Sequence, residues 1–384
     1  MVLKAKRKPD AGDASLGRRD FLRQAAALGA GLAAAGWAAK ARAGKPEGQP
    51  APETEIRNEQ PDILYRRLGR TNFMVSALTF GAIQLSPDSL NVFDAAIDSG
   101  VNLVHTNAGY TGGKSIRAIG QWLKTPGNRE RIFLALKAGP GNIDGELKIL
   151  GTDYIDLLMV PIDSPESVLN EDRPRQFEAL RKAGKARHMG LTFHSNLKAV
   201  WKNGVQAGWF DLFQPTYNTS SRPQLKPLLG DSKKKDIGVL TMKSLGGMPK
   251  GEDAVAVWKT FLDDGVDAIL RTITSMEQLK DYLRVALKSD TTSARLHPSA
   301  CAGQCTLCGA CDACPQGVAI QDTLRTYQYY ARQLGWMDEA RTQYAEIPLG
   351  AQATACADCG RCEAVCPQNL AVRALVREAH AALA

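Results

Sequence analysis

Eight cysteines in two runs offer the most specific chemistry in this 384-residue chain: Cys305-x2-Cys308-x2-Cys311-x2-Cys314-Pro315 and Cys356-x2-Cys359-x2-Cys362-x3-Cys366-Pro367. A cubic [4Fe–4S] cluster takes one thiolate at each of its four iron corners. A C-x2-C-x2-C turn wraps three of them around one face and leaves a more distant Cys before Pro to supply the fourth. Other thiol chemistries fit less well. Zinc ribbons use separated C-x2-C pairs rather than runs of four ending in Pro, and cysteines three apart in such runs are poorly placed to pair as disulfides. All nine cysteines of the chain fall between Cys301 and Cys366, so the thiols serve something local; Cys301, outside both runs, reads as a spare thiol or a substitute ligand.

The preceding segment supplies a scaffold. From Leu64 onward short runs rich in Val, Ile, Leu and Phe alternate with amphipathic stretches, as expected of a parallel sheet buried on both faces. The expected strands are Val75–Gly81, Asn102–Thr106, Ile132–Ala138, Ile155–Pro161, Ala186–His194, Asp211–Asn218, Ile237–Leu245 and Asp267–Thr274, each followed by a helical pattern. Eight such units fit a (β/α)8 TIM barrel, whose usual length is ~250 residues. A doubly wound open sheet is disfavoured because no G-x-G-x-x-G follows the first strand. Functional groups of such barrels gather at the C-terminal ends of strands. Here these ends carry His105, Thr106, Asn107, Tyr110, Lys137, Pro161, His194, Tyr217, Asn218 and Lys243.

Several landmarks in order resemble the aldo/keto reductase family: Leu68-Gly69-Arg70-Thr71, Phe80-Gly81, Val101 to Tyr110, Leu134-Ala135-Leu136-Lys137, Asp153-Tyr154-Ile155-Asp156-Leu157, Gly184 to Leu191, and Ser275 to Leu279. The resemblance covers roughly Leu64 to Leu287. It implies an Asp–Tyr–Lys–His tetrad in which Tyr is the general acid, a Lys paired with Asp lowers its pKa, and His orients a carbonyl. The matching positions are His105, Tyr110, Lys137 and Pro161, so Tyr and Lys are kept while Asp and His are replaced. Lys137 then lacks its carboxylate partner and, near a His105 imidazolium, should lose its proton more easily. Pro161 offers no polar side chain and no N–H, and His105 becomes the candidate acid or ligand contact. Where the family carries a Pro-Gly-like pair and an adenine-contacting Asn, this sequence has Arg271-Thr272 and Tyr282. Arg271, Gln278 and Lys243 are what remain to meet a nucleotide, so NADP(H) use is doubtful.

The cysteine region resembles the ferredoxin-like tails fused to some aldo/keto reductases. In two-cluster ferredoxins the fourth Cys of each run ligates the other cluster. The resemblance therefore implies one cluster on Cys305, Cys308, Cys311 and Cys366, and another on Cys356, Cys359, Cys362 and Cys314. Asp322–Glu346 reads as helical and Leu370–Leu383 as a closing helix.

At the N-terminus, Ser15-Leu16-Gly17-Arg18-Arg19-Asp20-Phe21-Leu22-Arg23 looks like a twin-arginine export signal, followed by an Ala/Gly-rich stretch and an Ala41-Arg42-Ala43 cleavage site. Residues 1–43 hold nine Lys/Arg and three Asp/Glu, a net +6 of the total +8, so the basic excess belongs to the leader and implies no nucleic-acid partner. The stretch is too short and weakly apolar for a stable membrane span after cleavage. The reading divides the chain into a signal peptide (1–43), a flexible linker (44–60), the barrel (61–295) and a small α-helical/loop iron–sulfur domain (296–384). It predicts a periplasmic oxidoreductase whose two [4Fe–4S] clusters exchange electrons with a redox protein partner or a small-molecule carbonyl or other substrate. Two alternatives stand: a genuine NADPH-dependent carbonyl reductase with attached clusters, and a non-catalytic scaffold with structural clusters.

Overall fold

The computed structural model describes residues 53–248, 253–290 and 305–384. The leader, its cleavage site and Cys301 lie outside the described residues. Glu53–Ala384 form one compact unit, and among the described residues no helix is long and apolar enough to cross a membrane.

Three short strands come first: β1 (Glu55–Ile56), β2 (Tyr65–Arg67) and β3 (Phe73–Ser76). They form a small sheet in the order β1-β3-β2. Eight parallel strands then close a barrel: β4 (Leu78–Gly81), β5 (Leu103–Asn107), β6 (Phe133–Lys137), β7 (Ile155–Pro161), β8 (Ala186–Phe193), β9 (Leu212–Pro215), β10 (Gly238–Thr241) and β11 (Ala268–Arg271), with β11 pairing back onto β4. The alternation of side chains along a strand divides the core in two. Leu103, Phe133, Ala135, Leu157, Met159, Leu212, Leu240 and Leu270 fill the interior together with Phe73 and Val75 of the small sheet. Val104, Leu134, Leu136, Leu158 and Val160 face the outer helices. Continuing the inward series on β5 and β6 puts His105 and Lys137 on the inner face at the C-terminal mouth. Their strands are in register, with His105 opposite Ala135 and Asn107 opposite Lys137.

The sequence expectation needs correcting at three places. Val75–Gly81 is not one strand. Val75 and Ser76 belong to β3, because the Ser76 amide donates to Asn102 Oδ1 at 2.9 Å and its hydroxyl donates to the Leu78 carbonyl, turning the chain into the barrel. Residues 44–60 are not wholly a linker: Glu55 and Ile56 pair with Phe73 and Met74, and Arg57 reaches the buried Asp156 at 3.1 Å. Composition shows those charges but not their partners. The one helical pattern expected after the strand Ile155–Pro161 is two helices, Pro165–Val168 and Asp172–Lys182; the Asn170 side chain accepts the Asp172 amide and starts the second.

The outer layer is close-packed at Gly120, in the helix Lys114–Leu123, which runs beside the helix Asp144–Leu150. A Cβ at Gly120 would lie 2.3 Å from the Ile149 carbonyl oxygen, a backbone atom that cannot swing aside. Gly120→Ala is expected to cost about 1–3 kcal/mol by overpacking. Thermal melting checks this, and an unchanged midpoint would contradict the contact.

The cysteine region builds on helices. Ile320–Leu324 is α-helical and continues as a π-helical stretch, Arg325–Gln333. π-Turns are rare and concentrate at functional sites. Asp322–Glu346 is helical as expected, with a break at Gly335, which has φ +72°, before the helix Met337–Ala345. The closing helix, Val372–Leu383, buries Val372, Val376, Ala379 and Leu383 on one face. Its upper residues pack with Val318, Ile320, Leu324 and Leu370 around the cysteines, and its lower ones pack with Tyr327, Tyr330 and Tyr344.

Candidate functional site

The two cysteine runs share a turn about their second Cys, after which only the second run enters a short helix, Arg361–Ala364. Leu307 and Asp358, each just before the second Cys of its run, take left-handed backbone angles (φ 54° and 57°). Gly309 and Gly360, each just after that Cys, do the same at 76° and 71°. Non-glycine residues in that region cost about 1–3 kcal/mol unless their surroundings hold them, so the repeated geometry marks a shared purpose. It curls three thiols of each run toward one side.

Two cavities collect the thiols. One, of about 140 Å³, is lined by Cys356, Cys359, Cys362 and Cys314, and also by Cys311. A second, smaller one is lined by Cys305, Cys308, Cys311 and Cys366. Each cavity therefore gathers a turn of three from one run and a distant Cys from the other, a donor set that suits a four-iron cube. Burial pushes the Cys305 thiol up to about 11 and raises Cys311 further. Uncoordinated thiols here stay protonated, and coordination must displace those protons.

The first run sits on the barrel mouth. Asn218 Nδ2 donates to the Thr306 carbonyl at 2.9 Å, and Gln224 donates to the Cys308 carbonyl. The Asn196 amide donates to Asp312 at 2.7 Å, and the Ser195 hydroxyl donates to Asp322 at 3.1 Å. Gln321 ties both sides together, donating to the His194 and Leu307 carbonyls.

Beneath these contacts the π-helical stretch lays Arg325, Tyr329 and Tyr330 over the strand ends. The Lys243 ammonium lies 4.1 Å from the centre of the Tyr329 ring. Arg325 is within 3.5 Å of Asp322, with a side chain only 11% exposed. Lys137 Nζ is 3.4 Å from His194 Nε2. The His105 and Tyr110 rings are 6.2 Å apart. Arg271 lies against the edge-packed rings of Trp258 and Tyr282, 5.4 and 5.5 Å from their centres.

Burial dominates the electrostatics. It holds His105 down at about 3, with Lys137 adding to the drop. The expected imidazolium is therefore absent near neutral pH, and His105 is not an acid there. Lys137 still falls, to about 8, because it is buried and faces Arg325; Asp163 opposes the drop. Lys243 and His194 are pushed well below their usual ranges by burial and by neighbouring cations, Arg325 and Lys137. Burial raises the Tyr110 hydroxyl well above the usual tyrosine range, helped by Tyr330 and Tyr329. Burial also lifts Asp312 to about 8 against the Asn196 amide, with Asp322 and Asp163 adding to the rise.

A titration follows. Lys137, observed through a 13C-labelled side chain, is expected to lose its proton near pH 8, and Arg325→Gln should move that midpoint upward because a cation facing it has gone. A midpoint in the ordinary lysine range, or one unmoved by the substitution, would contradict this geometry.

The structure brings together Tyr110, Lys137, His105 and Lys243, with Arg271 meeting the group through Tyr329. Gln278 is engaged locally instead: its Oε1 accepts from the Thr274 amide at 2.9 Å and from its hydroxyl. Sequence reading did not find Arg325, Tyr329, Asp163 or the His194–Lys137 contact. The one available signal was an arginine and paired tyrosines interrupting an otherwise amphipathic helix.

Comparison with known proteins agrees with the fold. Residues 77–254 match the aldo/keto reductase family, and residues 304–371 match the 4Fe-4S dicluster domain. The aldo-keto reductase YhdN of Bacillus subtilis is 27% identical over 197 residues, covering 47% of this chain and 58% of that protein. The aldo-keto reductase str7 of Strobilurus tenacellus is 30% identical over 139 residues, covering 33% of this chain and 39% of that protein. The chain thus spans less than two thirds of either relative. Among solved structures, an aldo-keto reductase of Pseudomonas aeruginosa superposes with a TM-score of 0.51 at 23% identity, over 59% of this chain and 97% of that one. The holo form of an aldo-keto reductase of Bacillus halodurans gives 0.51 at 20% identity, over 62% and 94%. The closed eight-stranded barrel thus contains the segment that matches the aldo/keto reductase family, and the cysteine turns seated on its mouth lie in the segment that matches the 4Fe-4S dicluster domain.

Proposed function

We propose that this protein is an exported oxidoreductase in which two [4Fe–4S] clusters move electrons between a redox protein partner and a small molecule held at the barrel mouth. The observation that carries the reading is the seating of the first cysteine turn, whose carbonyls accept hydrogen bonds from Asn218 and Gln224 of the mouth. Bound clusters supply one-electron transfer. The chain's own groups handle position and protons. Eight thiols in crossed sets of four hold the clusters. Tyr110 keeps its proton near neutral pH and presents a hydroxyl donor. Lys137, poised at about 8, can give or accept a proton close to working pH. His105, neutral and buried, lines the inner wall.

NADPH fits this mouth poorly. Tyr329 lies on Lys243, Arg271 packs against the Trp258 and Tyr282 rings, and Gln278 caps its own helix. The proposed chemistry therefore contains no hydride step. A nucleotide-dependent reductase keeps one observation in its favour, the family tyrosine and lysine at strand ends, and it requires Tyr110→Phe to abolish carbonyl reduction. Location in the periplasm follows from the Arg18-Arg19 leader, because the twin-arginine route carries folded, cofactor-loaded proteins.

Iron and acid-labile sulfide analysis of anaerobically purified protein, with EPR after dithionite, tests the reading. About eight irons per chain and a reduced-cluster signal are expected for two four-iron clusters. Iron-free protein would overturn it.

A further inference from the structure

The covered mouth of the barrel leaves several buried polar groups without partners. Lys243 Nζ has no hydrogen-bond acceptor and is sealed from solvent, as are Arg325 Nε, His105 Nε2 and His194 Nδ1. The Tyr329 ring offers Lys243 a π-face but no acceptor. Lys137 meets only a neutral imidazole, that of His194. The carboxylates facing this group are already used. Asp163 accepts from the His194 and Ser195 amides, and Asp322 accepts from Ser195 and lies beside Arg325.

Lys137, Lys243 and Arg325 face one another here, Asp163 faces all three, and Cys305 also faces Lys243. Asp312, which burial and the neighbouring Asp322 and Asp163 push up to about 8, is bound by the Asn196 amide. Buried donors without acceptors are costly, and a buried cation more so, unless an anion pairs with it. A planar, singly charged oxyanion would supply acceptors to Lys243, Lys137 and the Arg325 fork together.

We infer that the covered barrel mouth is a binding site for the carboxylate of a small organic acid, held between Lys137 and Lys243 of the barrel and Arg325 of the covering helix. The site rests on the proposed electron-transfer reading for its role as a substrate site, but its existence is tested without any electron flow. Tyr110 and His105, at the same strand ends, would face the rest of the acid. Arg325 comes from the cluster domain, so the site is incomplete in the barrel alone.

Isothermal titration calorimetry on the full, oxidised, anaerobically purified chain tests this, with iron content measured on the same sample. Acetate and pyruvate are the carboxylate probes, inorganic phosphate is the second oxyanion, and potassium chloride is the ionic control. Saturable binding of a carboxylate is expected, weakened roughly thirtyfold or more in Lys243→Met and restored in Lys243→Arg. Lys137→Gln is the second variant, used if Lys243→Met loses its iron or its fold, and it is expected to weaken binding in the same direction. No saturable carboxylate binding, binding of phosphate alone, or variants that bind as well as the parent would each overturn the inference. Such a failure in a sample with full iron leaves the cluster reading standing, whereas iron-free protein that still binds carboxylate sinks that reading alone.

Discussion

Cys366→Ala is expected to cost the protein the cluster of the first cysteine run, and Cys314→Ala that of the second. Each substitution removes about half of the iron. The reason is the crossing of the two cavities: Cys366 lines the one with Cys305, Cys308 and Cys311, whereas Cys314 lines the one with Cys356, Cys359 and Cys362. Pairs of substitutions separate this from an uncrossed arrangement. Cys305→Ala with Cys366→Ala removes two ligands of one cluster and should keep about half of the iron, like either change alone. Cys356→Ala with Cys366→Ala strikes both cavities and should leave almost none. If the second pair retained half of the iron and the first retained none, the ligation would be uncrossed. The first run has two residues before its last Cys where the second has three, and the shared turn geometry at Leu307 and Asp358 shows that this difference lies outside the turn itself.

The second large effect lies at the opposite end of the barrel. Asp156 is fully buried and takes three arginines: Arg57 at 3.1 Å, Arg129 at 2.7 Å and Arg187 at 2.9 Å. It also accepts the Leu134 amide at 2.8 Å. Glu55 shares Arg57 and Arg187. Asp156→Ala leaves three guanidinium groups facing one remaining carboxylate and an unsatisfied amide. Breaking a buried pair on one side costs about 3–5 kcal/mol, which corresponds to a fall in melting temperature on the order of 10 °C for a barrel of this size. Asp156→Asn keeps the shape and an acceptor for Leu134, so it should cost less. A shift of only a degree or two in Asp156→Ala would mean that water reaches these arginines. The network also explains why residues 53–60 are ordered: Glu55 and Arg57 pin β1 to the barrel floor.

Most strand positions were legible because the barrel is written in short apolar runs, and the rule that functional groups gather at strand C-terminal ends picked out His105 and Lys137. The cysteine spacing likewise pointed to four-iron chemistry, and the thiols lie around two cavities. What could not be read was contact between distant segments. Arg325 and Tyr329 follow Lys137 and Lys243 by many residues, and a helical pattern says nothing of which surface its polar members cover. His105 shows a different limit. Its residue type suggested a titrating group near neutral pH, but burial beside Lys137 keeps it uncharged. His194 was legible as a strand-end residue, but not that its ring nitrogen is what Lys137 meets in place of a carboxylate. Glu55 and Arg57 looked like linker charges because their partners, Asp156 and Arg187, lie on strands about a hundred residues away.

The central claim is that electrons enter through the clusters, at a mouth closed to nucleotide by Arg325, Tyr329 and Tyr330. The measurement that tests it most directly is an anaerobic titration of the oxidised, cluster-loaded protein with NADPH and NADH, following cluster absorbance in the visible and tryptophan fluorescence for binding. Dithionite should bleach the clusters, while either nucleotide should leave both signals unchanged. Nucleotide binding accompanied by bleaching would contradict the claim, since it would show that the mouth opens to a dinucleotide and that hydride at the barrel feeds the clusters.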